Sequence, residues 1–297
     1  MINRFPHLAS RMLNVPLAIK PDKAEIIVAA VADRFGIANL LRMNGDTVVL
    51  APMAFDQEME NDQASKRVWT DRGYDVVAGV AIIEIEGTLV QKNGCMRPDS
   101  GMTGYDGIRQ AFFNALKDPQ VRAIAFDIDS CGGEVAGCFD LVDLIHSKRG
   151  GKPIWSILSE CAYSAAYAIA SAAEFVTVPR TGGAGSIGCI MLHADLSKAF
   201  DKAGINVTLI HYGDRKADFN EYQPLSKEAL ARAQRDINTM GELFVETIAR
   251  NRGLDPAAVR NMQATTYLGA ECFDAGLVDA VMAPEEQALP ALLEELG

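Results

Sequence analysis

From Val76 onward, short apolar runs alternate with stretches of helical spacing. VVAGVAIIEIEG reads as a buried strand, and YDGIRQAFFNALKD carries apolar residues at helical intervals and stops before Pro119. VRAIAFDID then reads as a strand, EVAGCFDLVDLIHSKRG as a helix and KPIWSIL as a strand, which meets the alanine-rich helix pattern SAAYAIASAA. EFVTVP is the next strand, followed by glycine-rich TGGAGSIG, a short strand IMLHA, a helix DLSKAFDKAG capped by Asp195, and a strand NVTLIHY. A long helix is predicted from about Ser226 to Arg252, and Asp255-Pro256 opens a short one. The end, TYLGAECFDAGLVDAVMA, reads as a helix returning to a strand. Strands alternating with helices predict parallel βαβ units and an α/β fold.

Residues 1–55 read differently, as a separate small unit. Asp22-Lys23-Ala24-Glu25 has capping-box spacing directly before IIVAAVADRFG, which predicts a helix of about three turns ended by Gly36. TVVLAPMAF follows as a strand or extended arm, and polar, aperiodic 56–73 as a linker. The expected organisation is an N-terminal extension and linker over 1–75 and a main domain over 76–297, without internal repeats.

Composition narrows the function classes. The chain has 297 residues and a formal net charge of −11, with no cluster of Lys and Arg that could track phosphates, so a nucleic-acid partner is not expected. Six cysteines occur and none form a C-x-x-C pair, which argues against a zinc knuckle or redox motif; no metal or cofactor is expected. The N-terminus lacks the apolar core of a signal peptide, and no run of about 18 apolar residues predicts a membrane span. A reducing cytoplasm fits, with the cysteines as small buried apolar groups.

Three loops fall at the carboxyl ends of successive predicted strands, the edge where open α/β sheets bind ligands. DSCGGEVAG contributes Gly132-Gly133, whose backbone N–H groups, placed at a helix N-terminus, suit an oxyanion hole; a tight strand-to-helix turn would use the same residues. SECAYSAAYAIAS places Ser164 at a strand-to-helix junction, where serine is either an N-cap or an exposed nucleophile. In the second case the N–H of Ala165 is a further oxyanion donor. GAGSIG contributes Ser186, which would bind the substrate or orient a base, or serve only as a turn residue. A serine hydroxyl needs a base, and two candidates lie downstream. Lys216 would need its charge suppressed by burial or by neighbouring cations such as Arg215, while His193 has a suitable pKa unperturbed. Asp195 and Asp218 are possible orienting partners.

In this order, DIDSCGGEVAG, AYSAAYAIAS, GSIGCIM, KADFNEYQPLS and AECFDAGLVDAV resemble the signal peptide peptidase A family of serine peptidases, over about residues 76–283. The resemblance implies a Clp protease/crotonase-like core and a Ser/Lys dyad. It carries the nucleophile to Ser164, the base to Lys216, 52 residues later, and the oxyanion donors to Gly133 and Ala165. Gly132 and Ser186 would then assist substrate binding or lysine orientation, with His193 the alternative base. Two departures occur. The family's S-P-G-G is Ser130-Cys131-Gly132-Gly133 here, and its S-G-G-Y is Ser164-Ala165-Ala166-Tyr167; neither removes a chemical group.

The opening FPHLASRMLNVPLAIKPDKAEIIVAAVADRFG resembles the phage head-maturation branch of that family. That implies protein substrates (capsid, portal or scaffold proteins), a homo-oligomer, and action in the bacterial host cytoplasm within the assembling procapsid. Since the chain ends at Gly297, a C-terminal scaffold segment is not expected. The competing expectations are a non-catalytic capsid assembly or scaffold protein retaining the fold, a host signal-peptide-peptidase-like protease, and a crotonase-type acyl-CoA enzyme.

Overall fold

The computed structural model describes residues 11–24, 27, 39–41, 47–49 and 72–297. In chain order the strands are β1 (Pro16–Ile19), β2 (Asn39–Leu41), β3 (Thr47–Val49), β4 (Asp75–Val77), β5 (Val80–Glu86), β6 (Thr88–Val90) and β7 (Met102–Gly104). Helix α1 (Tyr105–Lys117) leads to β8 (Ala123–Ser130) and β9 (Gly132–Glu134), and α2 (Cys138–His146) to β10 (Ile154–Tyr163). Then follow α3 (Ala165–Ser171), β11 (Phe175–Val178), β12 (Gly183–Gly185), β13 (Ile190–Met191), α4 (Ser197–Lys202), α5 (Lys227–Arg252) and α6 (Pro256–Asn261). The chain closes with β14 (Thr266–Leu268), α7 (Ala270–Asp274), β15 (Ala280–Val281) and α8 (Leu289–Leu296).

The main sheet runs β14-β12-β10-β8-β5-β4, with β11 pairing both β10 and β15. Pairs β5·β8, β8·β10, β10·β11, β10·β12 and β11·β15 are parallel, as strand-helix alternation predicts; β4 and β14 add antiparallel edges. Central β8 and β10 are buried along most of their length because helices cover the sheet, which is why they read as continuous apolar runs. Phe112 of α1 stacks on Phe126 of β8 at 5.7 Å, and Phe139 of α2 meets Phe244 of α5 edge-on at 5.4 Å. Each such fully buried large side chain contributes roughly 1.5–3 kcal/mol.

All of α3 is buried. Its alanines let it lie close to the sheet on one side and to α5 on the other. Tyr167 anchors it by donating its hydroxyl proton to the carbonyl of Leu277 at 2.8 Å. Arg149 holds the other end, donating to the carbonyls of Ser171, Ala172 and Ala173 and also to that of Asn251 in α5. Four carbonyls accept from this half-buried guanidinium and place positive charge where a helix C-terminus favours it.

A second, smaller sheet runs β13-β1-β9-β6-β7. Its second strand, β1, comes from the N-terminal residues and pairs antiparallel with both β9 and β13. The helix is already present at residue 21, so Asp22 lies inside its first turn and does not cap it as expected; most of its predicted length, like most of TVVLAPMAF and the 56–73 linker, lies outside the described residues.

Two expectations are corrected. NVTLIHY forms no strand: residues 205–211 have no regular structure, and Ile210 and Tyr212 are fully exposed. An apolar β-branched run becomes a strand only where a neighbouring strand accepts its hydrogen bonds, and among the described residues none is present. Gly132-Gly133, in turn, do not open a helix. They form β9, and α2 starts at Cys138 after Gly137, so the macrodipole argument does not apply and their amides are presented by a strand instead.

Candidate active site

Ser164 ends β10 and precedes α3. Its backbone has φ 56° and ψ −121°, a conformation an L-residue adopts at a cost of order 1–3 kcal/mol. The turn is held because the Ser164 N–H donates to Gly185 O at 2.8 Å and Ala168 N–H donates to Ser164 O at 2.9 Å. Among the described residues the side chain makes no capping hydrogen bond to the helix, so the N-cap explanation for this serine fails. The hydroxyl makes one long approach, 3.4 Å to Gly188 O. Ser164 is fully buried, not exposed as expected; its strained turn at the carboxyl end of a parallel strand, with the hydroxyl not engaged by its own helix, shares the backbone arrangement of a nucleophile elbow but not its exposed hydroxyl. Ala165, next in line, is the first residue of α3, and helix geometry provides its N–H with no intrahelical acceptor.

Gly132 packs directly against this turn. It has φ +95°, and a Cβ there would lie 2.2 Å from Ala18 O, 2.9 Å from Tyr163 O and 3.0 Å from the Cβ of Ser164. At Gly133 a Cβ would meet Leu89 O at 1.8 Å. Both glycines are thus required by close backbone approach, which brings β9 beside Ser164. Ser130 completes the turn: its hydroxyl donates to Gly87 O at 2.6 Å and accepts from Gly132 N–H at 3.1 Å. Nothing in the sequence pattern singled out Ser130 as a functional residue, although its place before the paired glycines was the available signal.

On the other side of Ser164, β12 pairs with β10 so that Tyr163 faces Gly185. Ser186 follows, buried, at φ 55°, its N–H donating to Thr265 O at 2.9 Å. The structure therefore brings Ser164, Gly132, Gly133, Ala165, Gly185 and Ser186 together.

The two candidate bases fare differently. Lys216 lies on an exposed turn, its N–H donating to Gly213 O at 3.1 Å, and among the described residues no hydrogen bond joins it to Ser164. His193 is held by Asn14, Nδ1 to Oδ1 at 2.8 Å, and sits edge-on to Phe219. Asn14 lies before β1, beyond its Pro16 end, whereas Ala18 and Ile19, which pair with Gly133 and Gly132 beside Ser164, form the other end, so His193 lies toward the Pro16 end of β1. Neither acid orients it. Asp195 accepts from Ser197 N–H at the start of α4, and Asp218 pairs with Arg232 of α5 at 2.5 Å.

Two cysteines flank the glycine turn. The Cys131 thiol has its pKa lowered, chiefly by the neighbouring Cys161 thiol; burial opposes this, and Lys23 and Lys20 assist. Cys161 is pushed upward by the same partner and also faces Asp129 Oδ1 at 3.3 Å. The thiolate is the reactive form, so alkylation of Cys131 by iodoacetamide should set in at lower pH than that of an ordinary thiol. Cys161 should react more slowly throughout. Peptide mapping across a pH series measures both; a Cys131 rate still rising steeply above pH 8 would contradict this pairing.

The model of peptidase family S49 matches residues 146–294, which include Ser164, β12, Lys216 and all of α5. The chain belongs to peptidase family S49. Among its relatives, capsid assembly protease C of Escherichia phage lambda is 34% identical over 282 residues, 95% of this chain and 64% of that protein. The head-tail preconnector protein GP5 of Enterobacteria phage P21 is 36% identical over 282 residues, 95% of this chain and 56% of that protein. Protease 4 of Haemophilus influenzae is 25% identical over 211 residues, 70% of this chain and 33% of that protein. This S49 chain thus spans less than two thirds of either phage relative. Its likeness to both phage proteins includes the N-terminal region, whereas the bacterial match covers a smaller share.

Proposed function

We propose that this chain is a serine endopeptidase that processes capsid, portal or scaffold proteins during phage head assembly. It would do so in the host cytoplasm, on a Clp protease/crotonase-like core. The observation that carries this reading is the strained Ser164 turn, with the amide-bearing strand β9 packed against it. In the proposed mechanism Ser164 Oγ attacks a peptide carbonyl, the Gly133 and Ala165 amides stabilise the oxyanion, and neutral Lys216 takes and returns the proton. What favours Lys216 over His193 is the family spacing from Ser164; Asn14 holds only Nδ1 of His193, and its buried Nε2 has no hydrogen-bond partner among the described residues.

For Lys216 to serve, the arm around it must close toward Ser164. Exposed Ile205, Ile210 and Tyr212 lie on that arm, and a second copy of the chain covering them would hold it closed. Homo-oligomerisation is therefore part of the proposal.

The test is co-expression with the capsid, portal and scaffold genes of the same phage, followed by mass spectrometry of newly cut termini. Lys216→Ala should lose the cuts and His193→Ala should retain them. The opposite pattern would transfer the base to His193, and normal cleavage by both would remove the dyad.

A further inference from the structure

The groove beside Ser164 is already filled by this chain's own β1. Pro16–Ile19 lies between β13 and β9, so both of its backbone edges are paired, as a peptide substrate's would be. The register along β9 is Leu17 with Glu134, Ala18 with Gly133 and Ile19 with Gly132. On either side, Val135 N–H donates to Pro16 O at 3.3 Å and Lys20 N–H donates to Cys131 O at 2.9 Å. Hydrogen-bonded and non-bonded pairs alternate along an antiparallel ladder, so Ala18 and Gly133 form the bonded pair between those two. The Gly133 N–H therefore faces the Ala18 carbonyl, the same carbonyl that lies 2.2 Å from a Cβ on Gly132, itself 3.0 Å from the Ser164 Cβ.

The side chains fit the same placement. Ala18 is fully buried within the main core. Leu17 and Ile19 point the other way, into an apolar cavity of about 210 Å³ walled by Leu89, Val90 and Met102. The segment is fastened at both ends. Arg11 pairs with Glu134 at 3.1 Å and donates to Lys92 O, while the Lys20 ammonium stands 5.2 Å from the Tyr163 ring centroid.

We propose that Pro16–Ile19 is bound as a substrate in cis and that the chain cleaves itself between Ala18 and Ile19. The proposal rests on the serine peptidase reading above. Ser164 Oγ bonds to the Ala18 carbonyl carbon, the Ala18–Ile19 C–N bond breaks, and the hydroxyl proton passes through the base to the departing Ile19 amine. Water then hydrolyses the ester, leaving a carboxylate on Ala18 and restoring the Ser164 hydroxyl. The step is redox-neutral and consumes one water. By the same register, substrates acting in trans would carry a small residue at the cut, flanked by apolar ones.

Intact-mass analysis of the purified full chain tests this, with denatured casein as a trans substrate in parallel. The expected result is a wild-type species beginning at Ile19, absent from Ser164→Ala and from Ala18→Trp. If wild type degrades casein in a Ser164-dependent manner but keeps its 18–19 bond, the self-cleavage proposal is overturned and the peptidase reading stands. If neither casein nor the chain is cut, both fall. Equal cutting at Ala18 in Ser164→Ala would assign the cut to another protease and likewise overturn the proposal.

Discussion

On the proposed mechanism, Ser164→Ala is expected to lower kcat/KM by at least about 10⁴-fold, as removal of the nucleophile does in serine peptidases, while leaving Tm within about 2 °C of wild type. The two expectations come from different atoms. Catalysis needs the Oγ, whereas the turn is held by backbone bonds to Gly185 and Ala168 that alanine retains. Alanine also keeps the Cβ, so the cost of φ 56° is unchanged, and the substitution removes only the 3.4 Å approach of the hydroxyl to Gly188 O. Ser164→Gly sharpens the comparison. It should be equally inactive but more stable, by about 1 kcal/mol, because glycine adopts positive φ without strain. Kinetics on a cleaved protein substrate with thermal melts of all three forms provides the check. Retained activity in Ser164→Ala would remove Ser164 as nucleophile, and a collapse in its Tm would mean the hydroxyl is structural.

The largest stability loss is expected at Asp279→Ala, at about 3 kcal/mol and hence a fall in Tm of roughly 6–12 °C. Asp279 makes a bidentate pair with Arg252 at 2.8 and 2.9 Å and also accepts from Val176 N–H at 2.8 Å. Arg252 is the buried partner, 8% exposed, so removing the carboxylate strands a guanidinium in the interior. Asp279 is 29% exposed, which holds the expected loss to the low end of the range for buried pairs. This ion pair joins α5 to β11 and to the turn whose Leu277 carbonyl receives the Tyr167 hydroxyl. Heat inactivation of cleavage should follow the same shift, because α3, which Ser164 precedes, is anchored there. The double variant Arg252→Met/Asp279→Leu should recover part of the loss, since it leaves no unpaired charge. Chemical denaturation of the three variants separates these outcomes, and equal stability of Asp279→Ala and wild type would refute the account.

Legibility followed sequence separation. Strands β5, β8, β10 and β11, helices α1 and α5, and the Asp255-Pro256 start of α6 were readable because each depends on residues within one window. Asp255 accepts from Ala257 N–H and Ser226 from Ala229 N–H, both local bonds. NVTLIHY misled because its pattern is that of a strand but a strand needs a partner. The glycine pair misled in a different way, since adjacent glycines fit a tight turn and a closely approached strand equally well.

By itself, then, the sequence determined an α/β chain of alternating strands and helices, located Ser164 at a strand-to-helix junction, and marked the paired glycines and Ser186 as its companions. These are local matters of periodicity, capping and turn chemistry. Only the tertiary structure decided that Ser164 carries a positive φ and makes no cap, that Ser130 orders the glycine turn, and that Asn14 holds Nδ1 of His193. It alone placed Pro16–Ile19 against Gly132-Gly133, more than a hundred residues away in the chain. Pairings of that kind depend on which backbone edges lie side by side after folding, and no local pattern of side chains encodes that neighbour.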